Sequence, residues 1–223
     1  MTKAVHIMAP ESTSDTPETS TAAPPSGPLP ARPDDHDPDR EPAHPSPGRW
    51  GLIGMALGAL GVMNPPLRSP ADVAAVWANL AVVDMVASDH APHTLEEKRS
   101  ANPPAGVPGL ETIMPLLVDA ALAGKLSLPD VARLSAAGPA AVFGLRHKGR
   151  IAAGYHADIT LVDPDGETLL GEKLYSKCGW TPFAGRRVRG SIRRVLLRGR
   201  DAALDGVVLA QPGWGRFLAP NRA

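Results

Sequence analysis

Asp89, His90 and His93 fall within five consecutive positions of a 223-residue chain that holds only seven histidines. A carboxylate can ligate a metal ion and can accept a proton from water bound to it. Two imidazoles add ligands, or hydrogen-bond donors for an anionic substrate. Pro92 stiffens the turn between them. On residue types alone, a solvent-facing turn that happens to contain Asp and His competes on equal terms.

The elements around these residues bear on the choice. "VVDMVAS", residues 82–88, is a short, nearly continuous apolar run rich in valine. Such a run predicts a strand buried on both faces, the habit of parallel sheets. Asp89 would then stand at its carboxyl end, where the catalytic loops of (β/α) barrels converge. Upstream, Ser69, Pro70 and Asp72 predict a capped helix start. Val73, Val76, Trp77 and Leu80 give that helix an apolar face. Downstream, "GLETIMPLLVDAALAG" predicts a helix with Pro115 at a kink or in its first turn. "SLPDVARLSAAGPAAVFGL" predicts another, capped by Ser127 with Asp130, and a short third from Gly138. Helix, buried strand, polar loop and helix follow the grammar of α/β units.

The two ends of the chain read differently. Residues 1–49 contain eleven prolines and no aromatic residue. They are too poor in apolar side chains to offset chain entropy, which predicts a disordered segment without a secretory leader. "WGLIGMALGALGVM", residues 50–63, is apolar but falls short of the ~20 residues of a membrane-spanning helix. From about residue 148, short β-rich runs punctuated by glycine predict a small β domain reaching residue 216. Residues 146–200 carry twelve Lys/Arg against five Asp/Glu, read as a charged, solvated sheet edge rather than a binding patch. Lys+Arg and Asp+Glu balance at 23 each, so no nucleic-acid partner is indicated. The single cysteine, Cys178, excludes an internal disulfide and a multi-cysteine zinc site, and reads as a packed residue. A cytoplasmic protein without a membrane anchor is expected.

"NPPLRSPADVAAVWANLAVVDMVASDHAPHTLEEKRSANPPAGVPGLETIMPLL", residues 64–117, closely resembles dihydroorotase, a member of the amidohydrolase superfamily. The likeness is greatest to the type found in the multifunctional pyrimidine-synthesis protein. "SKCGWTPFAGRRVRGSIRRVLLRGRDAALDGVVLAQPGWG", residues 176–215, continues it. The resemblance implies the C-terminal portion of a metal-dependent-hydrolase TIM barrel, residues 50–147, followed by a small β-rich composite domain, residues 148–216. It implies zinc, one or two ions, and interconversion of dihydroorotate and N-carbamoyl-L-aspartate in pyrimidine biosynthesis. Asp89 would be metal ligand and general base. His93 would hold the substrate's carboxylate, Asn64 would contact its ring, and the backbone at Ala105 and Gly106 would approach it. His90 is expected to play a structural part.

The family's remaining metal ligands, an H-x-H pair, a bridging lysine and later histidines, have no recognisable counterparts here. A catalytic zinc normally takes three protein ligands. Residues 62–145 would also supply only the last units of a barrel that needs ~250 residues. The expectation is therefore a dihydroorotase-type chain that is truncated, its first 60 residues unrelated or frame-shifted. Two alternatives remain open: an inactive dihydroorotase-like partner of aspartate transcarbamoylase, or a hydantoinase or allantoinase relative. Self-association is a further possible partnership.

Overall fold

The computed structural model describes residues 58–219. The disorder expected of residues 1–49, and the segment before Gly58, lie outside the described residues.

Local capping signals start several of the helices. Ser69 Oγ accepts from the Asp72 amide at 3.2 Å and the Asp72 carboxylate accepts from Ser69 N at 3.1 Å. This reciprocal box opens helix α1 (Pro70–Ala78). Thr94 and Glu97 form a second box, with Glu97 Oε2 accepting from Thr94 N at 2.7 Å, and open the one-turn α2 (Leu95–Lys98). Helix α3 spans Ile113–Leu122, with Pro115 in its first turn, where the missing N–H costs nothing. A third box, Ser127 with Asp130, opens α4 (Leu128–Ala132). The chain then passes through a π turn (Arg133–Ala137) into α5 (Gly138–Val142) without a break.

The last third of the chain carries a sheet, its first strand beginning at Ile159. Strands β1 (Ile159–Leu169), β2 (Arg187–Leu197), β3 (Arg200–Leu204) and β4 (Val207–Val208) form one antiparallel sheet in sequence order. Ile159 pairs with Leu196 and Leu169 with Arg187, with irregularities between Leu161 and Val162 and between Asp163 and Glu167. Helix α3 lies on this sheet. Gly190 in β2 has φ +81°, and a Cβ there would stand 2.6 Å from Val118 Cγ1, so only glycine lets the helix approach so closely. Asp119 clamps the contact, accepting from Arg189 N at 3.1 Å and Arg189 Nε at 2.9 Å. Leu117, Val118, Ala120, Val131 and Leu134 from the helices and Val188 from β2 belong to the buried core.

Part of the basic excess of residues 146–200 is taken up by partners in and beside the sheet. Arg187 pairs with Glu167 at 2.5 Å, Arg189 with Asp119, Arg193 with Asp205 at 3.1 Å and Arg194 with Asp201. Such pairs contribute little stability, but they occupy the cations that a polyanion would need.

One expectation is corrected. Residues 82–88 do not form a strand. Leu80–Val82 is a 3-10 turn, and residues 83–89 run on without strand pairing. An isolated parallel bridge follows, between His90 and Val107. A parallel strand exists only beside a paired neighbour, and no described strand pairs with this segment. Instead it leans on the α4–α5 region: Val86 N donates to Leu134 O at 3.0 Å, and Arg133 donates to the carbonyls of Val83 and Leu80 at 2.7 and 2.9 Å. Part of the apolar face of α1 is uncovered among the described residues, while Trp77 and Leu80 are half-buried. Val73 is 47 % exposed and Val76 56 %.

Candidate functional site

Asp89 ends the extended segment with φ +44°, the left-handed region that short polar side chains tolerate best. It is exposed, and among the described residues its carboxylate has neither hydrogen-bond nor ion-pair partner. An exposed carboxylate at a loop corner, without a partner among the described residues, is available to a ligand. The next residue is committed differently. His90 Nδ1 accepts from the amides of Gly109 and Leu110, both at 3.2 Å, which assigns its proton to Nε2. This ring holds the following loop in place.

His93 is brought together with two of the other expected site residues. Its Nε2 lies 3.2 Å from Ala105 O, and a Cβ on Gly106 would lie 3.4 Å from its Cδ2. Its Nδ1 lies 3.8 Å from Glu97 Oε2. The Thr94 backbone N–H and hydroxyl hold Glu97's carboxyl below its usual range, with a smaller electrostatic contribution from His93. Nε2 is thus engaged by a weak, partly exposed bond to a carbonyl, which an incoming carboxylate can replace as acceptor.

Gly106 is small for a reason other than ligand access. Its φ is +130°, and a Cβ would stand 2.4 Å from Ala91 Cβ. The close packing of the 104–107 loop on Ala91 therefore requires glycine, and Ala91 N donating to Val107 O at 3.1 Å seals it. The segment leading to Asn64 joins the same loop: Gly106 N donates to Val62 O at 3.0 Å. Asn64 itself is exposed and unpartnered among the described residues.

Three residues that hold this arrangement escape a reading of the sequence. Lys98 is fully buried (0 % exposed), and its Nζ donates to Val62 O at 2.7 Å, Pro104 O at 2.9 Å and Gly106 O at 3.0 Å. Burial pushes its ammonium below the usual lysine range. Glu111 accepts from the amides of Tyr175 and Ser176, both at 2.8 Å. Burial alone would raise its carboxyl. Hydrogen bonds from the Ser176 side chain and the two amides, with His90 nearby, leave it below the usual range. Trp180, buried beside the core, donates its indole N–H to His93 O at 2.7 Å. All three lie inside segments singled out by resemblance, but nothing local marks Lys98 and Trp180 as buried donors.

The donor set does not fit a complete zinc centre. Among the described residues no three His, Cys, Asp or Glu side chains cluster so as to hold a metal ion. Cys178 is free and half-buried, its Sγ 3.7 Å from Trp180 O. No described helix is long and apolar enough to cross a membrane.

Comparison with known proteins adds an independent line. The Amidohydrolase family matches residues 67–201. The chain is 52 % identical over 134 residues to the dihydroorotase of Halobacterium salinarum, covering 58 % of this chain and 32 % of that protein. It is 42 % identical over 159 residues to the dihydroorotase of Pyrococcus furiosus, covering 71 % and 38 %. It is 41 % identical over 159 residues to multifunctional protein pyr1-3 of Dictyostelium discoideum, covering 70 % and 7 %. Among solved structures, L-hydantoinase (dihydropyrimidinase) from Arthrobacter aurescens superposes with a TM-score of 0.71 at 28 % identity, covering 75 % of this chain and 39 % of that one. A D-hydantoinase gives 0.67 at 32 % identity, covering 72 % and 37 %. The chain therefore spans about a third of the length of these dihydroorotases and hydantoinases.

Proposed function

The chain belongs to the amidohydrolase family, and from that premise we propose that it serves a dihydroorotase-type hydrolysis of a cyclic amide, dihydroorotate to N-carbamoyl-L-aspartate. The observation that carries this reading is the convergence of His93, Ala105 and Gly106 beside the segment that leads to Asn64. Identity of 42–52 % to dihydroorotases, against 28–32 % to the hydantoinases, favours dihydroorotate over other cyclic amides.

Each residue has a task in that chemistry. The substrate is anionic at neutral pH, so a donor must meet its carboxylate. His93 Nε2 supplies one when it exchanges Ala105 O for the ligand. Asn64 can both donate to and accept from a cyclic amide edge. Asp89, free of other partners, accepts a proton from the attacking water and returns it to the leaving ring nitrogen. A zinc ion of the kind the family uses would, when bound, lower the pKa of that water, and Asp89 is the one recognisable ligand that the described residues would offer it. The protein functions in the cytoplasm on this reading.

The incomplete ligand set also favours a second reading, a dihydroorotase-like subunit that supports aspartate transcarbamoylase and does not turn over substrate. One assay separates the two: dihydroorotate ring opening by the purified full chain with added zinc, read by ultraviolet absorbance. General acid–base catalysis contributes ~10²–10⁴-fold, so turnover should fall at least about a hundredfold in Asp89→Ala. Turnover indifferent to Asp89 contradicts its assignment. Absence of turnover from folded chain, together with co-purification of a transcarbamoylase, would favour the second reading.

A further inference from the structure

We propose that Lys98 is a positioning residue: its ammonium sets the spacing between the Asn64 segment and the Ala105–Gly106 loop, and so shapes the seat for the ligand's anionic end. The inference rests on the cyclic-amide reading and deepens it. An ammonium has three N–H groups and no acceptor. Here all three are used, on the carbonyls of Val62, Pro104 and Gly106 at 2.7, 2.9 and 3.0 Å. Two of these carbonyls belong to the 104–106 loop. The third lies two residues before Asn64 and also accepts the Gly106 amide at 3.0 Å.

A buried cation is ordinarily neutralised by a carboxylate. Lys98 has none among the described residues. Carbonyl dipoles from two segments do that work instead, so the charge is stabilised only while both segments stay where they are. Holding a lysine this way is costly for simple packing, where leucine or methionine would serve. It suits a loop pair whose separation matters. The tie also reaches His93, because Ala105 O, between two of the bonded carbonyls, is the partner of its Nε2.

The test uses the full chain, Lys98→Met, which keeps the stem and removes the charge, and Lys98→Gln, which keeps two donors. Amide hydrogen exchange and calorimetric titration with N-carbamoyl-L-aspartate are measured on each. The expected result for Lys98→Met is at least a tenfold loss of protection at Gly106, with protection at Leu117, Val118 and Val188 unchanged, and at least tenfold weaker ligand binding. Lys98→Gln should fall between. Unchanged protection at Gly106, an equal loss at all these amides, or loosened loops with unaltered affinity would each overturn the proposal. Failure of both variants to fold would assign Lys98 to global stability and overturn it as well. If the unaltered chain binds no N-carbamoyl-L-aspartate, the cyclic-amide reading fails and the positioning role falls with it. The Gly106 exchange then still decides whether Lys98 ties the two segments.

Discussion

The indole of Trp180 donates to the carbonyl of His93 at 2.7 Å across 87 residues of chain. The β-rich tail is thus bonded to the backbone of the residue that would meet the ligand's carboxylate. Trp180→Phe removes that donor together with part of a buried ring. The change should cost ~1–3 kcal/mol in stability by chemical denaturation, from the lost hydrogen bond and the void left by the smaller ring. It should also weaken binding of an anionic ligand while leaving the β sheet intact by circular dichroism.

Glu111 fixes the same tail from the other side, through the Tyr175 and Ser176 amides. Its folded carboxyl titrates below the ordinary value of 4.5 that it regains on unfolding. Its contribution is therefore complete above pH 4.5 and is lost as the pH falls through the lower, folded value. A change in Trp180 fluorescence in that acid window is expected, and Glu111→Gln should abolish its pH dependence at a cost of about 1 kcal/mol at neutral pH.

Gly106→Ala forces a Cβ to within 2.4 Å of Ala91 Cβ at a φ of +130°. Overpacking costs ~1–3 kcal/mol and the backbone strain adds to it. A drop in thermal midpoint, with faster proteolysis around residues 100–108, is the outcome to look for.

Helix α1 and the core should respond in opposite ways. Val73→Ser and Val76→Ser remove exposed side chains and should change stability by under ~0.5 kcal/mol, while improving solubility. Leu134→Ala removes a fully buried side chain and should cost ~2–5 kcal/mol. Chemical denaturation of the three variants makes the comparison.

What is legible in the sequence is local. Ser69 with Asp72 and Ser127 with Asp130 announce their helices, because a capping box is written within four residues. The resemblance in "SDHAPHTLEEK" draws attention to Asp89 and His93, and the fold sets His93 against Ala105 and Gly106. Partners distant in sequence are not legible. The valine-rich run at 82–88 has a strand's composition, yet pairing depends on a neighbour that no described segment provides. Nothing near Lys98 in the sequence marks it for burial, which depends on Val62, 36 residues upstream. The bond from Trp180 to His93 O spans 87 residues of chain and has no local signature. The β-rich composition begins near residue 148, but the chain runs through bends and turns there and the sheet starts only at Ile159. Composition marks where a sheet becomes affordable to the chain's chemistry, whereas its first strand begins where Leu196 is available to pair.

The most direct test is calorimetric titration of dihydroorotate into the full chain and into His93→Ala. Saturable binding to the unaltered chain, weakened at least tenfold in His93→Ala, is the predicted result. No binding by the folded chain, or binding indifferent to His93, would contradict it.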